Sequence, residues 1–282
     1  MTTNMAKVWF VTGSSRGIGR ALVEALLASG EQVAATARPS ELALLDNLEE
    51  GPGRAVKLPL DVRDEPAARE AVRLAMAAFG RIDVVVNNAG YGNVGSIEDT
   101  DISDFRDQID TNLFGVINVT KAALPVLRMQ GSGHFIQFSS IAGRIGPAGR
   151  GAYAAAKWGV EGFSECLAKE IEPLGVRVTV IEPGGFRTDF AGASTHMTAG
   201  RPEYAGTVGQ VVKFQTDYNG SQPGDPARAA KVLIQIAAME KPPFRLPLGS
   251  DAYGFAEQNE MARLEELRAW RELTCSTDFP KP

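Results

Sequence analysis

The sequence predicts a doubly wound α/β fold, a parallel sheet of about seven strands with helices on both faces. Three observations predict it. Short β-branched runs alternate with longer helical patterns along almost the whole chain. The strand runs are apolar throughout rather than alternating, which marks strands covered on both faces. Glycine-rich and polar motifs follow strand after strand, so they collect at the carboxyl edge of one sheet, where such sheets bind ligands. The chain has 282 residues, 44% hydrophobic and 22% charged, enough for one large domain over 1–282, and nothing near its middle reads as a linker.

The elements follow in order. The first strand is "KVWFVTG", and the loop "TGSSRGIG" leads into a helix at 17–29. "EQVAATA" is the second strand, followed by Arg38 and a helix at 40–48. "RAVKLPL" is the third, closed by "LDV" and followed by a helix at 65–79. "IDVVVNN" is the fourth and runs into "NNAG". A long helix is predicted over 103–129, with Pro125 expected to kink it by removing a backbone donor. "HFIQFSS" is the fifth strand, followed by a helix at 151–172. "VRVTVIEPG" is the sixth, and "FRLPLGS" is a seventh after a helix at 225–240. A last helix covers 253–271.

Two regions break the alternation. Residues 187–224 are rich in Gly, Ser and Thr with weak periodicity, and are expected to form a substrate-covering loop or lid. Its Phe190, Met197, Tyr204, Val208, Val212 and Phe214 suggest an apolar or aromatic substrate. Residues 250–282 are expected to form a charged helical extension.

Composition narrows the function. A net charge of −5 argues against a nucleic-acid partner. No apolar run is long enough to span a membrane, and the first residues lack the regions of a signal peptide. The two cysteines have no metal or redox spacing, which fits a reducing cytoplasm. Cys166 is expected to be buried and inert. The two histidines, His134 and His196, exclude a multi-histidine metal site and argue against a serine-hydrolase triad. His134 is expected to be structural, and His196 to lie in a loop.

Gly13, Gly17 and Gly19 are spaced G-x-x-x-G-x-G between a strand and a helix. Glycines let a pyrophosphate approach the backbone, and the helix aims free N–H groups at it. Further along, Tyr153 and Lys157 lie four positions apart in "GRGAYAAAKWGV". An alanine-rich helix start is the simplest account of that run. However, Val160, Phe163, Leu167 and Ile171 form an apolar stripe on the same helix, and Tyr153 and Lys157 fall on or beside it. Both polar groups are therefore expected to point inward. One helical turn, about 5.4 Å, brings them together. A nearby ammonium favours phenolate and is expected to lower the phenol's pKa, turning Tyr153 into a working acid–base group.

The glycine pattern, "NNAG" at 87–90 and the Y-x-x-x-K of Tyr153 and Lys157 together resemble the short-chain dehydrogenase/reductase family. The resemblance runs in order over roughly residues 6–190. It implies a Rossmann-type domain that moves a hydride between a nicotinamide cofactor and a carbonyl or alcohol. By that resemblance Tyr153 is the general acid/base. Lys157 is its electrostatic tuner and a ligand of the nicotinamide ribose. Ser140, thirteen positions before Tyr153, binds the substrate oxygen, while Ser139 bonds local backbone. Asn112 of "TNLFG" holds a relay water; a surface asparagine is the alternative.

The resemblance also implies the cofactor contacts. Gly13, Ser15, Arg16, Gly17, Ile18 and Gly19 hold the pyrophosphate. Asp61 bonds the adenine amino group, with Val62 beside it. Asn88, Ala89 and Gly90 line the ribose. Pro183, Gly184, Phe186 and Thr188 of "PGGFRT" meet the carboxamide end. Where an NAD site usually carries an acid after the second strand, this chain has Ala37 and then Arg38. Arg38 and Arg16 suit a 2′-phosphate, so NADP(H) is favoured over NAD(H); a solvated Arg38 is the alternative. Family members are commonly homo-oligomers, dimers or tetramers. A redox sensor that binds NADP(H) without catalysis is the competing class. A sugar-nucleotide epimerase expects a different glycine spacing and a larger second lobe.

Overall fold

The computed structural model describes residues 6–49, 51–192, 195–198 and 200–279. Seven strands form one sheet: β1 (Val8–Val11), β2 (Gln32–Ala37), β3 (Arg54–Pro59), β4 (Val84–Asn87), β5 (Gly133–Phe138), β6 (Val176–Pro183) and β7 (Arg245–Leu248). Their order is β3-β2-β1-β4-β5-β6-β7, and every neighbouring pair is parallel. The winding reverses between β1 and β4. The loops leaving these two strands part to opposite faces, which opens a crevice at the carboxyl edge.

Nine helices are described: α1 (Gly17–Ala28), α2 (Glu65–Phe79), α3 (Ile102–Ile109), α4 (Gly115–Gln130), α5 (Gly151–Ile171), α6 (Val208–Tyr218), α7 (Pro226–Ala238), α8 (Ser250–Ala269) and α9 (Arg271–Cys275). Successive strand residues point to opposite faces. Trp9, Val11, Val33 and Val86 pack under α1 and α7. Phe10, Ala34, Val85 and Phe135 pack under α2, α4 and α5. Both faces bury apolar side chains, which is why the strands read as unbroken apolar runs. Each such Leu, Val or Phe contributes about 1.5–3 kcal/mol. The ends of α2 and α7 are set locally: Asp64 accepts from the Ala67 N–H at 3.0 Å, and Asp225 from the Ala227 N–H at 2.8 Å, with a proline in the first turn of each.

Several expectations need correction. The helix predicted over 103–129 is interrupted by a π turn, Asp110–Phe114, between α3 and α4. The irregularity falls there, while Pro125 is carried inside α4. Residues 40–48 form 3₁₀ turns (Pro39–Leu45) rather than an α-helix. The 187–224 segment contains α6, whose buried side is narrow: only Val208 is fully enclosed. Cys166 is exposed, not buried. It precedes Leu167 of the apolar stripe by one residue, and about 100° of helical rotation turns it away from the sheet. Residues 280–282 of the predicted extension lie outside the described residues. Among the described residues no helix is long and apolar enough to cross a membrane.

His134 is structural, as expected. It is fully buried, with Nε2 2.9 Å from the Thr179 hydroxyl. Burial, then the charges of Arg177 and Lys7, push its pKa down to about 3. The unfolded chain takes up this proton near pH 6.5 and the folded protein only near pH 3. Stability from this group is therefore full above pH 6.5 and is lost as pH falls toward 3. His134→Gln is expected to remove about 2–3 kcal/mol of the stability difference between pH 7.5 and pH 4.5, read by urea denaturation at both values.

Candidate active site

The carboxyl edge holds a cavity of about 810 Å³. Its floor begins at the glycine loop after β1. Gly13 and Gly17 have φ of +67° and +58°, left-handed conformations that favour glycine. A Cβ on Gly13 would lie 2.9 Å from the Ala89 Cα. The "NNAG" turn clasps this loop. Asn88 Nδ2 donates to the carbonyls of Thr12 and Gly13 at 2.9 and 3.1 Å, and Thr12 Oγ1 accepts from the N–H groups of Asn88 and Ala89. Gly13, Ser15, Arg16, Gly17 and Ile18 line the cavity, as do Asn88, Ala89 and Gly90. Gly19 lies behind it, where a Cβ would meet the Gly13 carbonyl oxygen at 2.3 Å. It lets α1 pack against the loop rather than touching a ligand.

At one end stand Arg16 and Arg38. Between them is a residue that the sequence reading missed, Glu41. It pairs with Arg16 and, at 2.5 Å, with Arg38, and it accepts from Ser15 at 3.1 Å. Burial opposes ionisation of Glu41, but the Arg38 and Ser15 hydrogen bonds and the Arg16 charge outweigh it and hold its carboxyl below the usual range. Its position three residues after Arg38, in the same helical turn, was the available signal. Asp61 lines the cavity beside Val62, with its carboxylate bonded to Arg63. Those bonds lower its pKa.

At the other end the catalytic candidates converge. Tyr153 and Lys157 are 7% and 3% exposed, on the first two turns of α5. Lys157 Nζ donates to the Phe138 carbonyl at 2.8 Å and sits 5.6 Å from the Tyr153 ring centroid. Asn112 lies in the π turn and is fully buried. Its Nδ2 donates to the carbonyls of Tyr91 and Gln108, both at 2.8 Å, while its Oδ1 has no partner. A Cβ on Gly90 would meet that Oδ1 at 2.5 Å and Lys157 Nζ at 3.6 Å, so both groups reach the same spot. The π turn re-aims Asn112 into the cavity. Ser140 caps a 3₁₀ turn, accepting from the Ala142 N–H, and lines the cavity with Tyr153, where its hydroxyl favours the phenolate. Ser139 contacts the Lys157 carbonyl instead.

The electrostatics differ from the expectation in one respect. Burial pushes the Tyr153 phenol up, opposed by the Ser140 hydroxyl and by the charge of Arg150. Lys157 is not the opposing cation. Burial pushes its own pKa down to about 7, with Glu161 acting the other way. Arg150 was missed in the sequence. Its guanidinium lies 5.9 Å from the Tyr153 ring centroid.

The remaining wall comes from the end of β6 and the segment after it. Pro183, Gly184, Phe186 and Thr188 all line the cavity. Phe190 packs on Tyr153, ring centroids 5.6 Å apart, and Phe214 stacks on Tyr218 at 5.0 Å. Of the apolar residues expected there, Phe190 and Phe214 line the cavity, with Val211 added. Tyr204 bonds Glu98 instead, Met197 pairs with Val94, and Val208 is buried. His196 is exposed, its backbone N–H bonded to Asn93.

A glycine-clasped loop at the switch point of a parallel sheet, beside a buried Ser–Tyr–Lys–Asn cluster, defines a nucleotide-binding oxidoreductase of the doubly wound class. A short chain dehydrogenase family model matches residues 7–199, and the chain belongs to the short-chain dehydrogenase/reductase family. The oxidoreductase BOA17 of Botryotinia fuckeliana is 44% identical over 274 residues, 97% of this chain and 100% of that protein. The crystal structure of a short-chain dehydrogenase from Streptomyces avermitilis is 39% identical, covers 98% of this chain and 100% of its own, and superposes with a TM-score of 0.90. An alcohol dehydrogenase from the archaeon Thermococcus sibiricus, solved with 5-hydroxy-NADP, is 27% identical over 86% of this chain and 96% of its own, with a TM-score of 0.68.

Proposed function

We propose that the protein is an NADP(H)-dependent oxidoreductase acting on a carbonyl or secondary alcohol, with Tyr153 as general acid/base. The observation that carries this reading is the phenol of Tyr153, buried in the same cavity as Ser140 and backed by Lys157. The site fits a dinucleotide. The glycine loop leaves no room for a Cβ at Gly13, α1 begins there with no acidic residue in its first turn, and Gly90 opens the way to Asn112 and Lys157. When bound, the reduced nicotinamide supplies a hydride. The chain supplies the rest: Ser140 orients the carbonyl oxygen and Tyr153 delivers the proton to it. Lys157 and the unpartnered Oδ1 of Asn112 stand behind the phenol, where they can pass a proton inward. A phenol pushed up by burial is protonated at neutral pH, which suits reduction. Phe190 and α6 cover the substrate end as a lid.

Cofactor choice rests on Arg16 and Arg38. Glu41 neutralises one of the two charges, leaving a net positive site for a 2′-phosphate. Arg38→Leu is expected to weaken NADPH binding about tenfold to a hundredfold and NADH binding little, measured by cofactor fluorescence titration. The function itself is tested with a carbonyl and alcohol panel, followed by cofactor absorbance. Turnover with NADPH supports it. NADPH binding without turnover of any substrate favours the sensor class instead.

A further inference from the structure

Arg177 is half-buried and bonded to the backbone carbonyls of Met239 and Glu240, whereas two other half-buried arginines are held by carboxylates. Arg144 is held by Glu182 and Glu260 at 2.7 and 2.8 Å, and Arg245 by Glu161 and Glu165 at 2.9 and 3.0 Å. Each has two carboxylates. Arg150 has none among the described residues. Its Nη1 donates to the Gly92 carbonyl at 2.8 Å and its Nη2 to the Gln215 side-chain oxygen at 2.5 Å, both neutral acceptors. A guanidinium has more N–H donors than these two bonds use. Asp251 and Asp189 line the same cavity. Asp251 is turned to the Gly185 N–H at 2.7 Å, and Asp189 is exposed.

The position compounds the anomaly. Arg150 is the N-cap of α5 and makes no side-chain cap. Ser, Thr, Asp or Asn are preferred there, and a cation at the positive end of a helix dipole is unfavourable. The chain therefore places a charge without a carboxylate partner, partly desolvated, in a cavity that Tyr153, Phe190 and Phe214 also line. Its two bonds join the Gly92 turn to α6, but neither acceptor carries a charge. An anion arriving with the substrate would relieve both penalties.

We infer that Arg150 is a specificity residue that binds a carboxylate on the substrate, so that the protein acts on aryl or bulky apolar keto acids or hydroxy acids. This rests on the redox reading proposed above. The planar fork of a guanidinium matches a carboxylate in two parallel hydrogen bonds. The guanidinium lies 5.9 Å from the Tyr153 ring, so the carboxylate sits within a few bonds of the carbonyl, and the apolar body lies against Phe190 and Phe214. In the reduction, the carbonyl carbon accepts a hydride from the reduced nicotinamide and the C=O π bond breaks. The oxygen takes the proton of Tyr153, which is replaced from solvent. The carboxylate is unchanged.

The test compares phenylglyoxylate with its methyl ester, the same aryl ketone with and without charge. Wild-type kcat/KM is expected to favour the acid at least about tenfold, and Arg150→Met to erase that preference by losing at least about tenfold more on the acid than on the ester. Arg150→Lys keeps the charge without the fork and is expected to fall between them; it serves if Arg150→Met does not fold. Equal rates on acid and ester, or a variant that slows both alike, overturn the inference while leaving the redox reading intact. The second result would mark Arg150 as a latch between the Gly92 turn and α6. If neither ketone is reduced, the substrate panel decides the redox reading, and calorimetric binding of phenylglyoxylate decides the inference separately. Binding weakened about tenfold by Arg150→Met supports it, and unchanged binding overturns it.

Discussion

Tyr153→Phe is expected to lower turnover by about 10²–10⁴-fold while leaving NADPH affinity nearly unchanged. The substitution removes one oxygen and keeps the ring, so the packing against Phe190 at 5.6 Å survives. What disappears is a hydroxyl buried in the cavity that Ser140 also lines, with Arg150 and Lys157 at 5.9 and 5.6 Å from its ring centroid. Burial outweighs the charge of Arg150 and holds the phenol above its usual range. Apart from a change near pH 7 set by Lys157, reduction should therefore persist into the alkaline range and be lost as the phenol ionises. The measurement is steady-state reduction from pH 6 upward, with NADPH affinity followed by fluorescence. A variant that retains most of its activity would remove Tyr153 from the chemistry.

Lys157→Met should have the second largest effect, a loss of about 10²–10³-fold in turnover. The amine is fully enclosed, bonded to the Phe138 carbonyl, and titrates near pH 7. An activity change with a midpoint near pH 7 should vanish in the variant. Stability should respond in the opposite sense. The unfolded lysine binds its proton up to about pH 10.5 and the folded one only to about 7. Between these values the unfolded chain holds more protons, so stability rises with pH, and the cost of the buried charge is full below pH 7. Lys157→Met should lose that slope and be no less stable than the unmodified protein at pH 6, read by urea denaturation at pH 6 and pH 10. A variant that is inactive because it is unfolded would contradict the account.

Much of this was legible in advance because it is encoded locally. Strands buried on both faces need unbroken apolar runs, and β1, β4, β5 and β6 show them. The spacing of Tyr153 and Lys157 equals one helical turn and the stripe beneath them orients that helix, so their burial followed. The π turn at Asp110–Phe114 left no such mark, since one extra residue in a turn does not disturb a long apolar periodicity. Helix α6 was missed because its buried side is narrow, and Cys166 was misjudged because an apolar neighbourhood in sequence is not an apolar direction in space.

The amino-acid sequence by itself determined the strands, the glycine loop and the pairing of Tyr153 with Lys157 on one helix, since each depends on residues close together in the chain. Only the tertiary structure decided where the charges stand. Glu41 between two arginines, Lys157 lowered by enclosure and Arg150 joined to Gly92 and Gln215 arise from groups distant in the chain. Desolvation sums over everything packed around a group, and no local pattern carries that sum.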